Sequence, residues 1–339
     1  MLIKIPNVKI EAVGNFVSRR KISIEERLGG LIPEKRIARL KKSTGFESFS
    51  VAGEKICASD FCAAAAEKIF AETEINRDEI RAVIFVTQTA DYILPATSHI
   101  LQRRLNLARD IFVFDVNLGC TGFVAGIFMA ASILQNVPRG KILLLCGDTP
   151  TKYSFAEDPA TLSIFGDAGA AAVIGKSDGG EIFFNLETLG ELSGAIIMER
   201  GGSRNSFFVE NNSLNLRENF AAMDGAAVMD FSVKHVPKNL IELIKFSGVE
   251  ISGVEKFFLH QANRLILENL AAQLGVSPER VPFAAGRIGN TSSASIPAAM
   301  TEIKEVSGLT ILSGFGVGMA IASALVDLSG AIFLETGEL

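Results

Sequence analysis

The chain has 339 residues, 48% of them hydrophobic, with 31 glycines, no tryptophan and a formal net charge of −5. That composition excludes a disordered or fibrous chain and suits an α/β enzyme with one large core or two fused halves. Charges of both signs are interspersed, so no basic stripe points to nucleic acid and no acidic tail to a solvating segment.

The N-terminal stretch "MLIKIPNVKIEAVG" alternates as a strand does and lacks the continuous apolar core of a signal peptide. Cys57 and Cys62 follow, five apart on a predicted helix and so on different faces. Next comes an ordered series: a buried strand at 82–87, a helix at 97–107, and the strand "DIFVF" at 110–114. The joint "DVNLGCTGF" (115–123), an apolar helix at 124–134, a strand at 141–148 and the glycine-punctuated strand 164–175 complete it. Residues 176–225 read as a connector with strands of its own. A second series then repeats the first: an amphipathic helix at 234–248, the strand "KFFLHQA" (256–262), a helix at 264–275, "GRIGNTSSASIPAAM" (286–300) and the run 309–326. That last run is uncharged and nearly long enough to span a bilayer. Its central glycines make it read instead as two buried strands joined by a turn, so no membrane segment is expected.

Two incomplete strand–helix series suggest an internal duplication, with halves at 1–176 and 177–339. Strands alternating with helices imply a mostly parallel sheet in each half, and in such sheets the working groups collect at the carboxyl ends of the strands.

Three residues fall there. Cys120 lies between a buried strand and a buried helix, where unpaired N–H groups and the helix dipole favour thiolate over thiol. A space-filling cysteine needs no such place. The usage of the other three cysteines, Cys57, Cys62 and Cys146, forms neither a disulfide framework nor a zinc site and fits a reducing, cytoplasmic setting. His260 ends a strand and is followed by the polar residues Gln261 and Asn263, whereas His99 and His235 lie on predicted helices without catalytic company. Asn290 occupies the place in the second series that Cys120 holds in the first. Taken alone it would read as a turn or N-cap asparagine. Papain-like proteases also use cysteine, histidine and asparagine, but their surround of the nucleophile is absent here, as is tryptophan.

The motifs "DVNLGCTGF", "FGDAGAAAVIG", "HQANRLILENLAAQLG", "GNTSSASIPAAM" and "GFGVGMAIASALV" together resemble the β-ketoacyl-acyl-carrier-protein synthase III family of the thiolase superfamily, from about residue 40 to about 326. The resemblance implies a duplicated thiolase-like fold, two mixed and mostly parallel sheets in a five-layer α-β-α-β-α arrangement. It implies decarboxylative condensation: Cys120 takes an acyl group from a thioester, and His260 and Asn290 grip the thioester oxygen of malonyl-acyl carrier protein. Backbone N–H groups at Cys120 and in the turn containing Gly316 and Val317 would form the oxyanion hole, and Asn263 is expected among the binding residues. No metal, flavin or nicotinamide is implied; acyl-coenzyme A or an acyl-carrier protein is the substrate. Expected partners are the acidic carrier protein and a second copy of the chain, with no nucleic acid and no membrane.

Relatives differ in a third group. Thiolases carry a second cysteine near the C-terminal glycine turn, absent from "GFGVG", and hydroxymethylglutaryl-coenzyme A synthases carry a glutamate where this chain has Gln88. Type III polyketide synthases keep the same three residues and remain an alternative, as do simple acyl transfer and a non-enzymatic carrier-binding module. Members of the family clamp the nucleotide with a tryptophan and an arginine; here Arg39 and Ser43 stand near those positions, and Lys152 stands in for an arginine that meets the nucleotide phosphates. Leu94 lies at the tip of the loop that would reach a partner's acyl pocket, where phenylalanine favours short primers. Lys35, Arg36, Arg39, Lys41, Lys42 and Arg264 are candidates for a basic mouth facing the carrier.

Overall fold

The structure, a computed structural model, describes residues 1–207, 216–304 and 306–339; residues 208–215 of the expected connector lie outside it. The main strands are β1 (Leu2–Val17), β2 (Ile80–Val86), β3 (Phe112–Val116), β4 (Lys141–Asp148), β5 (Ala168–Thr188), β6 (Lys256–Leu259), β7 (Leu309–Gly316) and β8 (Ala320–Asp327). The main helices are α1 (Ala58–Glu72), α2 (Thr97–Arg104), α3 (Gly122–Leu134), α4 (Gly225–Ser247), α5 (Arg264–Leu274) and α6 (Ser295–Ile303).

The strands alternate in what they bury. On β2, Ile84 and Val86 face the central layer while Val83 and Phe85 face the outside helices. A strand covered on both faces must be apolar throughout, which is why 82–87 is an unbroken hydrophobic run. The central layer is α3 and α6, whose Phe123, Ile127, Ile296 and Met300 pack between Leu144 of one half and Phe258 and Leu312 of the other. Helix α3 is buried on two sides, so its sequence is hydrophobic nearly all round. Ala58, Cys62 and Ile69 of α1, with Leu101 of α2, cover the outer face of the N-terminal half. Phe231 and Leu240 of α4, with Leu267 and Leu270 of α5, cover that of the C-terminal half. Three apolar layers between and outside two sheets give the five-layer order.

The two sheets are not separate. Strand β5 pairs antiparallel with β4 over Ala168–Ile174 and antiparallel with β8 over Phe183–Thr188. Along its other edge runs β1, from Leu2 opposite Asn185 to Val17 opposite Ala168. Parallel β4–β2–β3 extend one half, and β8–β7–β6 the other, with β7–β6 parallel. All of these, with Ile332–Phe333 and Gly337–Glu338 beside β1, form one ten-stranded network. The expected division between residues 176 and 177 therefore falls inside a single strand. The sequence there, "KSDGGE", is polar and solvent-facing, which is why it read as the start of a connector.

Other boundaries shift for local reasons. Strand β6 stops at Leu259, leaving His260 just beyond its carboxyl end. Helix α4 begins earlier than its amphipathic pattern, because Asp224 caps it by accepting from the N–H groups of Ala226 and Ala227. The 309–326 run does form two antiparallel strands, β7 and β8. Among the described residues no helix is long and apolar enough to cross a membrane.

Phe184 marks how firmly the halves are joined. It lies on β5 past the polar corner, is fully buried, and meets Phe128 of α3 edge-on with centroids 5.5 Å apart. Phe184→Ala should lower the unfolding free energy by about 3–5 kcal/mol, read from guanidinium unfolding curves. A loss below about 1 kcal/mol would mean that the junction carries little of the core's stability.

Candidate active site

Cys120 sits in the turn between β3 and α3 and is 6% exposed. Two features of its surroundings come from the end of β7. The backbone N–H of Val317 faces the thiol sulfur and favours its ionised form. Gly316, at φ 149°, comes so close that a Cβ there would lie 2.9 Å from the sulfur, so only glycine allows this approach.

His260 extends the β6–β7 ladder by one bond, its N–H donating to Ser313 O at 2.8 Å. Its ring stands edge-on to Phe315, centroids 5.6 Å apart. Asn290 is held by backbone pairing to the other half: its N–H donates to Ile164 O at 2.8 Å, and Gly166 N–H donates to its carbonyl at 3.0 Å. Any Cβ at Gly166 would lie 1.8 Å from Ile288 O and would push this loop away.

Hydrogen bonds fix the protons. Asn290 Oδ1 accepts from Ser292 N–H at 2.9 Å, so its amide NH₂ faces the imidazole, with Nδ2 3.3 Å from His260 Nε2. In this state Nε2 is the acceptor, and the ring proton sits on Nδ1 and is donated to Ser295 Oγ, 2.7 Å away. Ser295 is buried and this is the one hydrogen bond of its side chain among the described residues. A hydroxyl can donate as readily as accept, so Ser295 serves either tautomer of the ring.

Electrostatics overturn one expectation. Burial pushes the Cys120 thiol up to about 12, helped by the charge of Asp148, and outweighs the N–H donors around the sulfur. Burial likewise pulls His260 down to about 3. The resting pair at neutral pH is a thiol and a neutral imidazole, not the thiolate that the helix start suggested.

Sequence reasoning missed Asp148 and Ser295. Asp148, enclosed at the end of β4, accepts from Gln88 N–H (2.7 Å), Ser293 N–H (3.2 Å) and Ser293 Oγ (2.7 Å). Burial raises its carboxyl even so. It ties the loop after β2 to the loop after Asn290. A carboxylate closing an apolar strand, "LLLCGD", was the signal available.

The other expected positions divide. A cavity of about 470 Å³ reaches Cys120, His260, Asn290, Asn263, Gly316 and Val317 together. Its apolar wall comes from Ile196, Ile197, Met198, Met223 and Met229. Asn263 also caps α5, accepting from Ile266 N–H at 2.9 Å. Lys152 does not line the cavity; its ammonium is held by the carbonyls of Glu54 (3.0 Å) and Ile56 (2.7 Å). Leu94 is 79% exposed on a loop with Tyr92 and Ile93 and lies outside the cavity. Of the basic candidates, Lys41 pairs with Glu25 at 2.9 Å, and Arg264 lies over the Phe283 ring. Among the described residues, no group of three or more His, Cys, Asp or Glu could hold a metal ion.

Residues 114–190 match the family model "3-Oxoacyl-[acyl-carrier-protein (ACP)] synthase III", and residues 244–328 match its C-terminal counterpart. The chain is 31% identical over 302 residues to a β-ketoacyl-[acyl-carrier-protein] synthase III of Clostridium tetani, covering 85% of this chain and 89% of that one. The chain belongs to the 3-oxoacyl-[acyl-carrier-protein] synthase III family. That is a family of acyl-transferring enzymes. A 3-oxoacyl-(acyl-carrier protein) synthase crystal structure from Burkholderia xenovorans superposes on this chain with a TM-score of 0.93 at 29% identity, covering 100% of this chain and 99% of that one. The priming β-ketosynthase of the R1128 polyketide pathway matches at TM-score 0.85 and 26% identity, covering 95% and 96%.

The state of the thiol can be measured. Alkylation of Cys120 by iodoacetamide should rise about tenfold per pH unit from pH 7 to 10, since only the thiolate reacts. No inflection near the usual histidine range should appear, because His260 stays neutral there. Peptide mass mapping separates Cys120 from the half-exposed Cys57. A plateau below pH 8 would show an ionised resting thiol.

Proposed function

We propose that this chain joins an acyl primer, held on Cys120, to malonyl-acyl carrier protein with loss of carbon dioxide, giving a 3-oxoacyl-acyl carrier protein. The observation that carries this reading is the meeting of two polar sites in one cavity. The thiol faces the Val317 N–H, while Asn290 Nδ2 and His260 Nε2 converge 3.3 Å apart. A thioester exchange alone could use the imidazole as a base, but it has no use for the Asn290 amide aimed beside it.

In acylation the sulfur attacks the thioester carbon and its proton passes to the His260 Nε2 lone pair, which the Asn290 amide releases. The Val317 N–H faces the developing oxyanion. Expulsion of the carrier thiolate, which takes that proton, leaves acyl-Cys120 and a neutral ring. Before condensation the neutral ring exchanges its Nδ1 proton for one on Nε2 through solvent, with Ser295 turning to donate to Nδ1; the malonyl thioester oxygen then accepts from Asn290 Nδ2 and from the Nε2–H of His260. The bond to the carboxylate breaks, its electron pair forms the enolate, and carbon dioxide leaves. The enolate carbon attacks the acyl carbonyl. Collapse of the tetrahedral adduct expels the Cys120 thiolate, which takes a proton from solvent.

No resident cofactor enters these steps. The primer arrives on coenzyme A or on a carrier protein; Lys152, held by two carbonyls, gives no support to a nucleotide clamp. A homodimer fits the exposed Tyr92, Ile93, Leu94 and Phe112, the last on the edge strand β3. The setting proposed is the cytoplasm, with no nucleic acid or membrane partner. Polyketide priming is the second reading, favoured by the likeness to the R1128 synthase.

Asn290→Ala tests the reaction. It should still form acyl-Cys120, seen as an intact-mass adduct. It should release carbon dioxide from malonyl-carrier protein a hundredfold to a thousandfold more slowly, about 3–4 kcal/mol for one donor. If the unaltered protein releases no carbon dioxide but passes its acyl group to an alcohol or amine, the reaction is acyl transfer.

A further inference from the structure

Behind the cavity wall lies a cation that the reaction steps do not use. Arg27 belongs to the short helix Ile24–Leu28 and does not line the cavity. Its Nη1 donates to Phe165 O at 2.5 Å. Phe165 O and Gly166 N–H are the two ends of one peptide group, and that N–H donates to Asn290 O at 3.0 Å. A cation on the carbonyl polarises the peptide and strengthens the bond made at its other end. A second contact reaches the same place. The Arg27 guanidinium lies 4.8 Å from the centroid of the Phe49 ring, which is fully buried. Phe49 in turn lies against Gly289, where a Cβ would come within 2.6 Å of Phe49 Cδ1. Gly289, at φ 78°, is the residue before Asn290. One side chain therefore grips both the segment paired with Asn290 and the ring packed against its neighbour. Burial pulls the guanidinium down to about 10, against the attraction of Asp167, so it keeps its charge at neutral pH.

We infer that Arg27 is a positioning residue for Asn290: it holds the backbone from which the amide is aimed at the malonyl thioester oxygen. The role exists only if the condensation reading above holds. Asn290 must place an N–H on an oxygen whose charge develops as carbon dioxide leaves, and a displacement of about 1 Å can cost roughly a hundredfold. Without Arg27, Phe165 O loses its charged partner and the Phe49 ring loses its cover. The 164–166 segment and Gly289 would then be free to shift together, and Asn290 with them. Cys120 stands outside this chain of contacts: its sulfur faces the Val317 N–H and is pressed by Gly316 of β7. The loss should fall on decarboxylation and spare acylation.

Arg27→Met keeps an unbranched apolar side chain and removes the donors. Formation of acyl-Cys120, read by intact mass, should stay within about twofold of the unaltered protein. Release of carbon dioxide from malonyl-carrier protein should slow about tenfold to a hundredfold, in kcat and not in KM. On an Asn290→Ala background the same change should alter release by less than about twofold, because nothing is left to position. Arg27→Lys keeps the charge but loses the planar face over Phe49, so release should slow by only about twofold to fivefold, again with acylation unchanged. It carries the comparison alone if Arg27→Met does not fold, which circular dichroism shows. Equal slowing of both steps overturns the inference. So does unchanged release, or a tenfold effect that persists on the Asn290→Ala background. Failure of the unaltered protein to release carbon dioxide is a different result: it removes the condensation reading, and the role of Arg27 with it.

Discussion

The thiol comes from one half of the chain and its two polar partners from the other, so everything depends on holding the halves at a fixed spacing. Three sets of bonds do this at the site. Asp148 of the first half binds the Ser293 segment of the second. Ile164 and Gly166 pair with Asn290 as a short strand would. The end of β7 presses on the nucleophile through Gly316. None of these contacts involves an ion pair. They are close packing and hydrogen bonds, all but the Ser293 Oγ–Asp148 bond involving backbone, whose geometry is stricter than that of a flexible salt bridge.

Burial that makes the site specific also makes it quiet at rest. The thiol and imidazole are both neutral because water is kept from them, and the nearby buried carboxylate of Asp148 opposes thiolate further. In the proposed reaction, reactivity belongs to the moment when a thioester lies in the cavity and a proton can move from sulfur to ring nitrogen. The histidine has a hydroxyl, not a carboxylate, behind it. A carboxylate would favour the imidazolium and lock one tautomer; Ser295 does neither.

Much of this was legible in the sequence, for physical reasons. Strands buried on both faces are continuous apolar runs, so β2, β4 and the β7–β8 pair stood out. Cysteine at a strand–helix joint and histidine at a strand end are places defined by local order, and the structure puts both beside Asn290. The continuation of β5 through "KSDGGE" was not legible, because a solvent-facing corner has the composition of a loop even while its backbone stays paired. Asp148 was passed over because a single aspartate at a strand end has no pattern of its own. The neutral thiol could not be foreseen from the helix start, since burial depends on chain segments far away in sequence. The same holds for Lys152, whose partners are main-chain carbonyls that carry no residue signature.

The β1–β5 seam bears on how such a protein can move. Hinged enzymes close over their substrates by bending at a few residues that link otherwise separate bodies. Here the two bodies are joined by paired strands, and even the corner is bridged on both sides, Val8 opposite Lys176 and Pro6 opposite Glu181. Bending there would break ladder bonds on two strands at once. The distance from sulfur to the imidazole–amide pair is therefore set when the chain folds. In the proposed reaction successive thioesters would then meet a chamber of one shape, and selection among them would rest on walls and loops, not on closure of one half upon the other.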